Sequence, residues 1–202
     1  MKFNDIAEQL VNAGKILYDW GMVPATSGNF SARISDDEIA ITVSGKHKGR
    51  MTVDDIMRVD LTGKSLDGKI PSAETGLHTQ IYQRYPETGA VLHAHSTCAT
   101  LISRSAGDEV ILENYEVLKA FPGVTTHETR VSIPVFENDQ DIPRLAKQVD
   151  NYLAHHESIP AYLIRGHGFY TWGNSIDDAL KYTEALEFLF KCELTTQGVL
   201  KP

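Results

Sequence analysis

Apolar residues near the N-terminus recur every three or four positions: Ile6, Leu10, Ala13, Leu17 and Trp20. That spacing places them on one face of an amphipathic helix, with Asn4 positioned to cap its start and Gly21 to stop it. The same period predicts a helix over "PSAETGLHTQIYQRY", where Leu77, Ile81 and Tyr85 share a face behind Pro71 and a capping Ser72. A third helix begins in "STCATLISR" with Ser96 as cap. A fourth lies in "DIPRLAKQVDNYLAHH", with Ile142, Leu145, Val149 and Leu153 in phase. The last helix, "SIDDALKYTEALEFLFKCEL", is capped by Ser175 and carries Asp177 and Asp178 at its positive end.

Between these helices the pattern changes to short apolar or alternating runs. "EIAITV", "MRVDL", "GAVLHAH" and "RVSIPVFEND" read as strands, and "ATSGNFSARI" as a glycine turn entering one. "PAYLIRGHGFYTWG" reads as two strands broken between Gly166 and Gly168. Several neighbouring strands look like hairpins. The expected class is therefore α/β: a single domain over 1–202 with a mainly antiparallel central sheet covered by helices.

Charge narrows the partners. The 202-residue chain carries a formal net charge of −8, which disfavours nucleic-acid backbones. It still allows an anionic small molecule, because a local nest of N–H groups can outweigh the global field. Two cysteines distant in sequence, Cys98 and Cys192, make no disulfide framework. With no signal-peptide core and no membrane-length apolar run, the expectation is a soluble cytoplasmic protein.

The candidate chemistry centres on "GAVLHAHSTCATL". Residues two apart on a strand share a face, so His93 and His95 project side by side, about 7 Å apart along the chain. Taken alone, such a pair is better explained by chance, or by each ring hydrogen-bonding a carbonyl. His167, flanked by glycines after the apolar run Ala161–Ile164, adds a third imidazole at a strand exit and points to a metal site of the zinc type. Glu74, in a first helical turn, either complements the helix dipole or places a carboxylate near the metal; spacing leaves both open. "TSGN" and "VSGKHKG" are glycine loops able to hold an anion, with Lys46 and Lys48 adding positive charge. His47 reads as a loop residue, His155 and His156 close a helix, and His78 and His127 receive no role.

Taken in order, "SGNFSAR", "TVSGKHKG", "PSAETGLH", "GAVLHAHS" and "RGHGFYTWG" resemble the class II aldolase/adducin-like family over nearly the whole chain. The resemblance implies an α/β/α layered fold and a homotetramer with active sites between subunits. It also implies one divalent metal, usually zinc, per subunit, with His93, His95 and His167 as ligands. Glu74 matches the acid/base of the family's sugar-phosphate aldolases, and Gly28, Asn29, Ser44, Gly45 and Ser72 match its phosphate-binding positions. "NYEVLKAFPG" is similar to the dehydratase branch, which has a glutamate where aldolases tend to have tyrosine, so Glu116 becomes the expected base. Some of those dehydratases carry a cysteine at the position of Glu74. The implied activity is metal-dependent dehydration of a methylthio-substituted ketose 1-phosphate to a diketone. The alternatives are a sugar-phosphate aldolase or epimerase and, ranked below because all three histidines are present, a non-enzymatic adducin-like interaction module.

Overall fold

A computed structural model describes residues 2–156 and 160–201. In chain order the helices are α1 (Phe3–Asp19), α2 (Thr75–Arg84), α3 (Thr97–Ser105), α4 (Ile142–Leu153) and α5 (Ile176–Thr196). The strands are β1 (Asn29–Arg33), β2 (Glu38–Thr42), β3 (Ile56–Asp60), β4 (Ala90–Ala94), β5 (Glu109–Glu113), β6 (Arg130–Phe136), β7 (Ala161–Ile164) and β8 (Gly168–Gly173). They form one sheet in the order β3-β2-β1-β4-β8-β7-β6-β5. Every neighbouring pair is antiparallel except β6 and β7. Among the described residues no helix is long and apolar enough to cross a membrane.

Side-chain alternation divides the core in two. Phe30, Leu92, Leu163 and Phe169 point to one face and pack with α1, α3 and α5, through residues such as Leu10, Ile102 and Phe190. Ile41, Val91, Tyr162 and Tyr170 point to the other face and meet α2 and α4, through Leu77, Ile81, Leu145 and Val149. The result is the expected α/β/α layering, with the sheet buried on both sides.

Most predicted elements stand, and the differences are local. Helix α1 starts two residues earlier than Asn4 would allow: Lys2 is its N-cap, and the Asp5 carboxylate accepts the Lys2 backbone N–H at 3.2 Å. Ser72 does not cap α2. Glu74 holds the N-cap position, while the Ser72 carbonyl accepts the Thr75 N–H and hydroxyl, closing a turn just ahead of the helix. Ser96 and Ser175 do cap α3 and α5, accepting N–H groups at 3.0 Å from Ala99 and Asp178. Strand β5 has no clear signature in the sequence: it presents only Val110 and Leu112 to the core, too brief an alternation to stand out. Both cysteines are free thiols.

The β7–β8 hairpin approaches β4 very closely. A Cβ at Gly168 would lie 2.1 Å from the Ala94 carbonyl oxygen and 3.2 Å from the His95 Cα. Gly168→Ala is therefore expected to cost about 1–3 kcal/mol through forced strand separation. Urea denaturation of the purified variant measures it, and an unchanged midpoint would show that the strands part without cost.

Candidate metal centre

The sheet brings the distant histidines together through strand pairing. His93, near the end of β4, sits opposite Tyr170 of β8, which in turn sits opposite Tyr162 of β7. The three rings stack in a row across the strands, at 4.0 Å and 11° for His93–Tyr170 and 4.8 Å and 13° for Tyr170–Tyr162. The His93 Nδ1–H donates to the Phe169 carbonyl at 2.9 Å. That bond leaves the Nε2 lone pair facing outward along the α2 side of the sheet. His95 lies just beyond β4, its backbone N–H donating to the Met22 carbonyl at 2.8 Å. His167 occupies the β7–β8 turn, where its N–H closes onto Ile164.

The donor atoms converge. His95 Nε2 lies 2.8 Å from His93 Nε2 and 3.1 Å from His167 Nε2. Glu74 faces them from the start of α2, Oε2 being 3.3 Å from His93 Nε2 and Oε1 3.4 Å from His167 Nε2. All four donor atoms fall within 4.8 Å of one another. Zinc–nitrogen bonds of about 2.0–2.1 Å imply ligand separations near 3.3 Å around a tetrahedron, so these donors have the spacing of a metal-binding set. Burial, reinforced by the neighbouring imidazoles, holds His95 down at about 3 and His93 well below its ordinary value. The His93 and His95 rings are thus neutral, the form that ligates metal. The His167 Nδ1 is buried without a protein partner among the described residues.

A cleft of about 510 Å³ opens over this cluster, with Glu74, His95 and His167 at one end and Gly28, Asn29, Ser44, Gly45, Lys48 and Ser72 among its other walls. The sequence candidates for metal and phosphate binding, His93 beneath its neighbours included, therefore share one region. Gly28 has φ +76°, and a Cβ there would lie 2.7 Å from the His93 carbonyl oxygen. Only glycine lets this loop rest against the ligand-bearing strand. The two candidate lysines part company. Lys46 pairs on the surface with Asp55 at 2.8 Å. Lys48 is buried, its Nζ donating to the Thr26 and Lys46 carbonyls at 3.0 and 2.6 Å, and burial lowers it to about 8.

Glu116 is not part of this cleft. It lies on an exposed 3-10 turn, Glu116–Ala120, with Oε1 2.6 Å from Lys119, which holds its carboxyl below the usual range. His78, given no role from sequence, is fully buried on α2 and connects to Asn29 and Ser31. Its signal was present as a histidine four residues after Glu74 in a helix, on the same face.

The chain belongs to the class II aldolase and adducin N-terminal domain family, which matches residues 8–194. Its relatives include the methylthioribulose-1-phosphate dehydratase of Methylococcus capsulatus, 59% identical over 198 residues, covering 98% of this chain and 97% of the relative. The enzyme of the same name from Pseudomonas fluorescens is 55% identical, covering 96% and 95%. Among solved structures, the L-fuculose-1-phosphate aldolase of Thermus thermophilus superposes with a TM-score of 0.77 at 25% identity, covering 95% of this chain and 94% of the other.

His95→Ala should strip most of the bound metal while leaving the circular dichroism spectrum intact, whereas His127→Ala, on the surface, should retain it. Elemental analysis of the two purified variants decides the point, and equal metal content would remove His95 from the ligand set.

Proposed function

We propose that the chain is a lyase that dehydrates 5-methylthioribulose 1-phosphate to 2,3-diketo-5-methylthiopentyl 1-phosphate and water, a step of methionine salvage. The reading is carried by the Glu74/His93/His95/His167 cluster at one end of an anion-suited cleft, in a chain 59% identical to a dehydratase of that name. Three nitrogen donors and a carboxylate suit zinc, which when bound supplies positive charge beside the substrate ketone.

The chain's own residues position the substrate and move the proton. The loops carrying Gly28, Asn29, Ser44, Gly45 and Ser72 receive the phosphate, and Lys48 adds the charge. Lys48 is the only lysine or arginine among the cleft-lining residues and braces both glycine loops through their carbonyls. This anchoring puts the ketone end at the histidine cluster. Glu74 sits beside the cluster either as a fourth ligand or as an acid/base. Glu116 takes the proton from the carbon next to the ketone and returns it to the hydroxyl leaving the adjacent carbon; the resulting enol becomes the diketone. Because Glu116 lies outside its own chain's cleft, it acts in the site of a neighbouring subunit of a cytoplasmic homotetramer.

Incubation with the substrate should raise diketone absorbance; release of an aldehyde would mark the chain as an aldolase instead. Glu116→Gln is expected to lower kcat about 10²–10⁴-fold with metal content unchanged. Mixing and reassembling Glu116→Gln with His95→Ala chains should recover part of the activity, because each supplies what the other lacks. No recovery in verified mixed oligomers would place Glu116 outside the neighbour's site.

Lys48→Met should raise KM about 10–100-fold, the loss of a charge-assisted hydrogen bond. Since burial sets Lys48 at about 8, its ammonium is present below that pH and lost above it. The wild-type kcat/KM should therefore fall as pH rises through about 8, and this limb should vanish in the variant.

A further inference from the structure

Behind the metal cluster, on the α2 side of the sheet, lies a row of buried polar groups, of which only Asn29 has a duty in the mechanism above. Asn29, Ser31, His78 and Tyr82 are exposed by 4%, 0%, 0% and 1% respectively. They connect in a single line. The Asn29 Nδ2 donates to Glu74 Oε2 at 2.7 Å. The Asn29 Oδ1 meets His78 Nε2 in a short hydrogen bond. The His78 Nδ1 lies 2.7 Å from Ser31 Oγ, and Ser31 Oγ lies 3.0 Å from the Tyr82 hydroxyl.

One end of this line fixes the direction of all the rest. A carboxylate only accepts, so the Asn29 group that faces Glu74 has to be the NH₂. The Asn29 carbonyl is thereby turned to His78, and the His78 Nε2 has to carry the ring proton. Its Nδ1 is then a bare lone pair that accepts from the Ser31 hydroxyl. With that proton committed, Ser31 in turn accepts from Tyr82. Reversing any one bond would set two donors or two acceptors face to face among side chains this deeply buried. Asn29 keeps its second N–H for the cleft, so the arrangement leaves its proposed contact with substrate open.

We propose that His78 is a positioning residue: as the Nε2–H tautomer it locks the Asn29 amide with its NH₂ on Glu74, so that one carboxylate oxygen is held at His93 and the other is presented to His167 and the cleft. This rests on the reading of the cleft as a lyase site in which Glu74 acts, as ligand or as acid/base. It makes Ser31 and Tyr82, neither of which lines the cleft, part of what aims a carboxylate into it.

The test uses the metal-loaded enzyme and the apoprotein. His78→Leu removes the donor to Asn29, and kcat is expected to fall about 10–100-fold, the range seen when an outer partner of a ligand is lost. KM should stay within about 3-fold, because Gly28, Ser44, Gly45, Ser72 and Lys48 still hold the phosphate. His78→Gln, whose amide places an N–H near the original Nε2, should restore most of that loss. Should His78→Leu not fold, Ser31→Ala is decisive: it leaves Nδ1 without a donor and is expected to lower kcat about 2–10-fold. Independently of turnover, long-range proton–nitrogen NMR of the apoprotein should show His78 as the Nε2–H tautomer, and Ser31→Ala should shift it toward Nδ1–H. Full kcat in a folded His78→Leu, a glutamine variant as impaired as the leucine one, or an Nδ1–H tautomer in the unmodified protein would each overturn the proposal. Unchanged turnover in Glu74→Gln would instead sink the reading it rests on.

Discussion

Lone pairs repel when they are pressed together, and burial removes the water that would separate them. Here three imidazole nitrogens and a carboxylate meet at separations of 2.8–3.4 Å. Desolvation and mutual repulsion keep His93 and His95 uncharged, so protonation does not relieve the crowding. A shared cation satisfies all of these groups at once, and much of the fold works to keep them close enough to need one. The central strands set the register of His93, the ring stack across β4, β8 and β7 fixes its plane, and the Phe169 carbonyl fixes its tautomer. The glycines at 28 and 168 let neighbouring backbone close in from either side.

Much of this was legible in the sequence because it depends on period and punctuation. The alternation in "GAVLHAH" put His93 and His95 on one face, and the break at Gly166–Gly168 located the turn that delivers His167. Ser96 and Ser175 behaved as caps because each stands directly ahead of an apolar-periodic run. What the sequence does not reveal depends on tertiary placement. Ser72 has the right chemistry for a cap but stands two residues too early, and only the path of the chain into α2 puts Glu74 there instead. His78 looks like any histidine on a helix until β1 is packed beneath it and supplies Asn29 and Ser31.

The two lysines of "SGKHKG" show the same limit. Both bring one charge to the same loop, yet Lys46 ends in a half-exposed ion pair and Lys48 among backbone carbonyls under the cleft. Exposed pairs contribute little, whereas a desolvated ammonium acts strongly on an arriving anion. An overall charge of −8 therefore does not prevent a buried positive charge from standing at the cleft. Glu116 presents the opposite case: its chemistry was readable from "YEVLK", but its place outside the cleft of its own chain was not.

The donors that meet in the centre come from residue 74 at the head of a helix, 93 and 95 at the mouth of a strand, and 167 in a hairpin bend. An ion held by all of them is a cross-link closing two long loops of the chain, much as a covalent staple would. Ions that bind the folded form alone also favour it by mass action. Loss of such an ion would thus remove a tie between β4 and the β7–β8 hairpin as well as a reactive group, and the fold would be less stable without it.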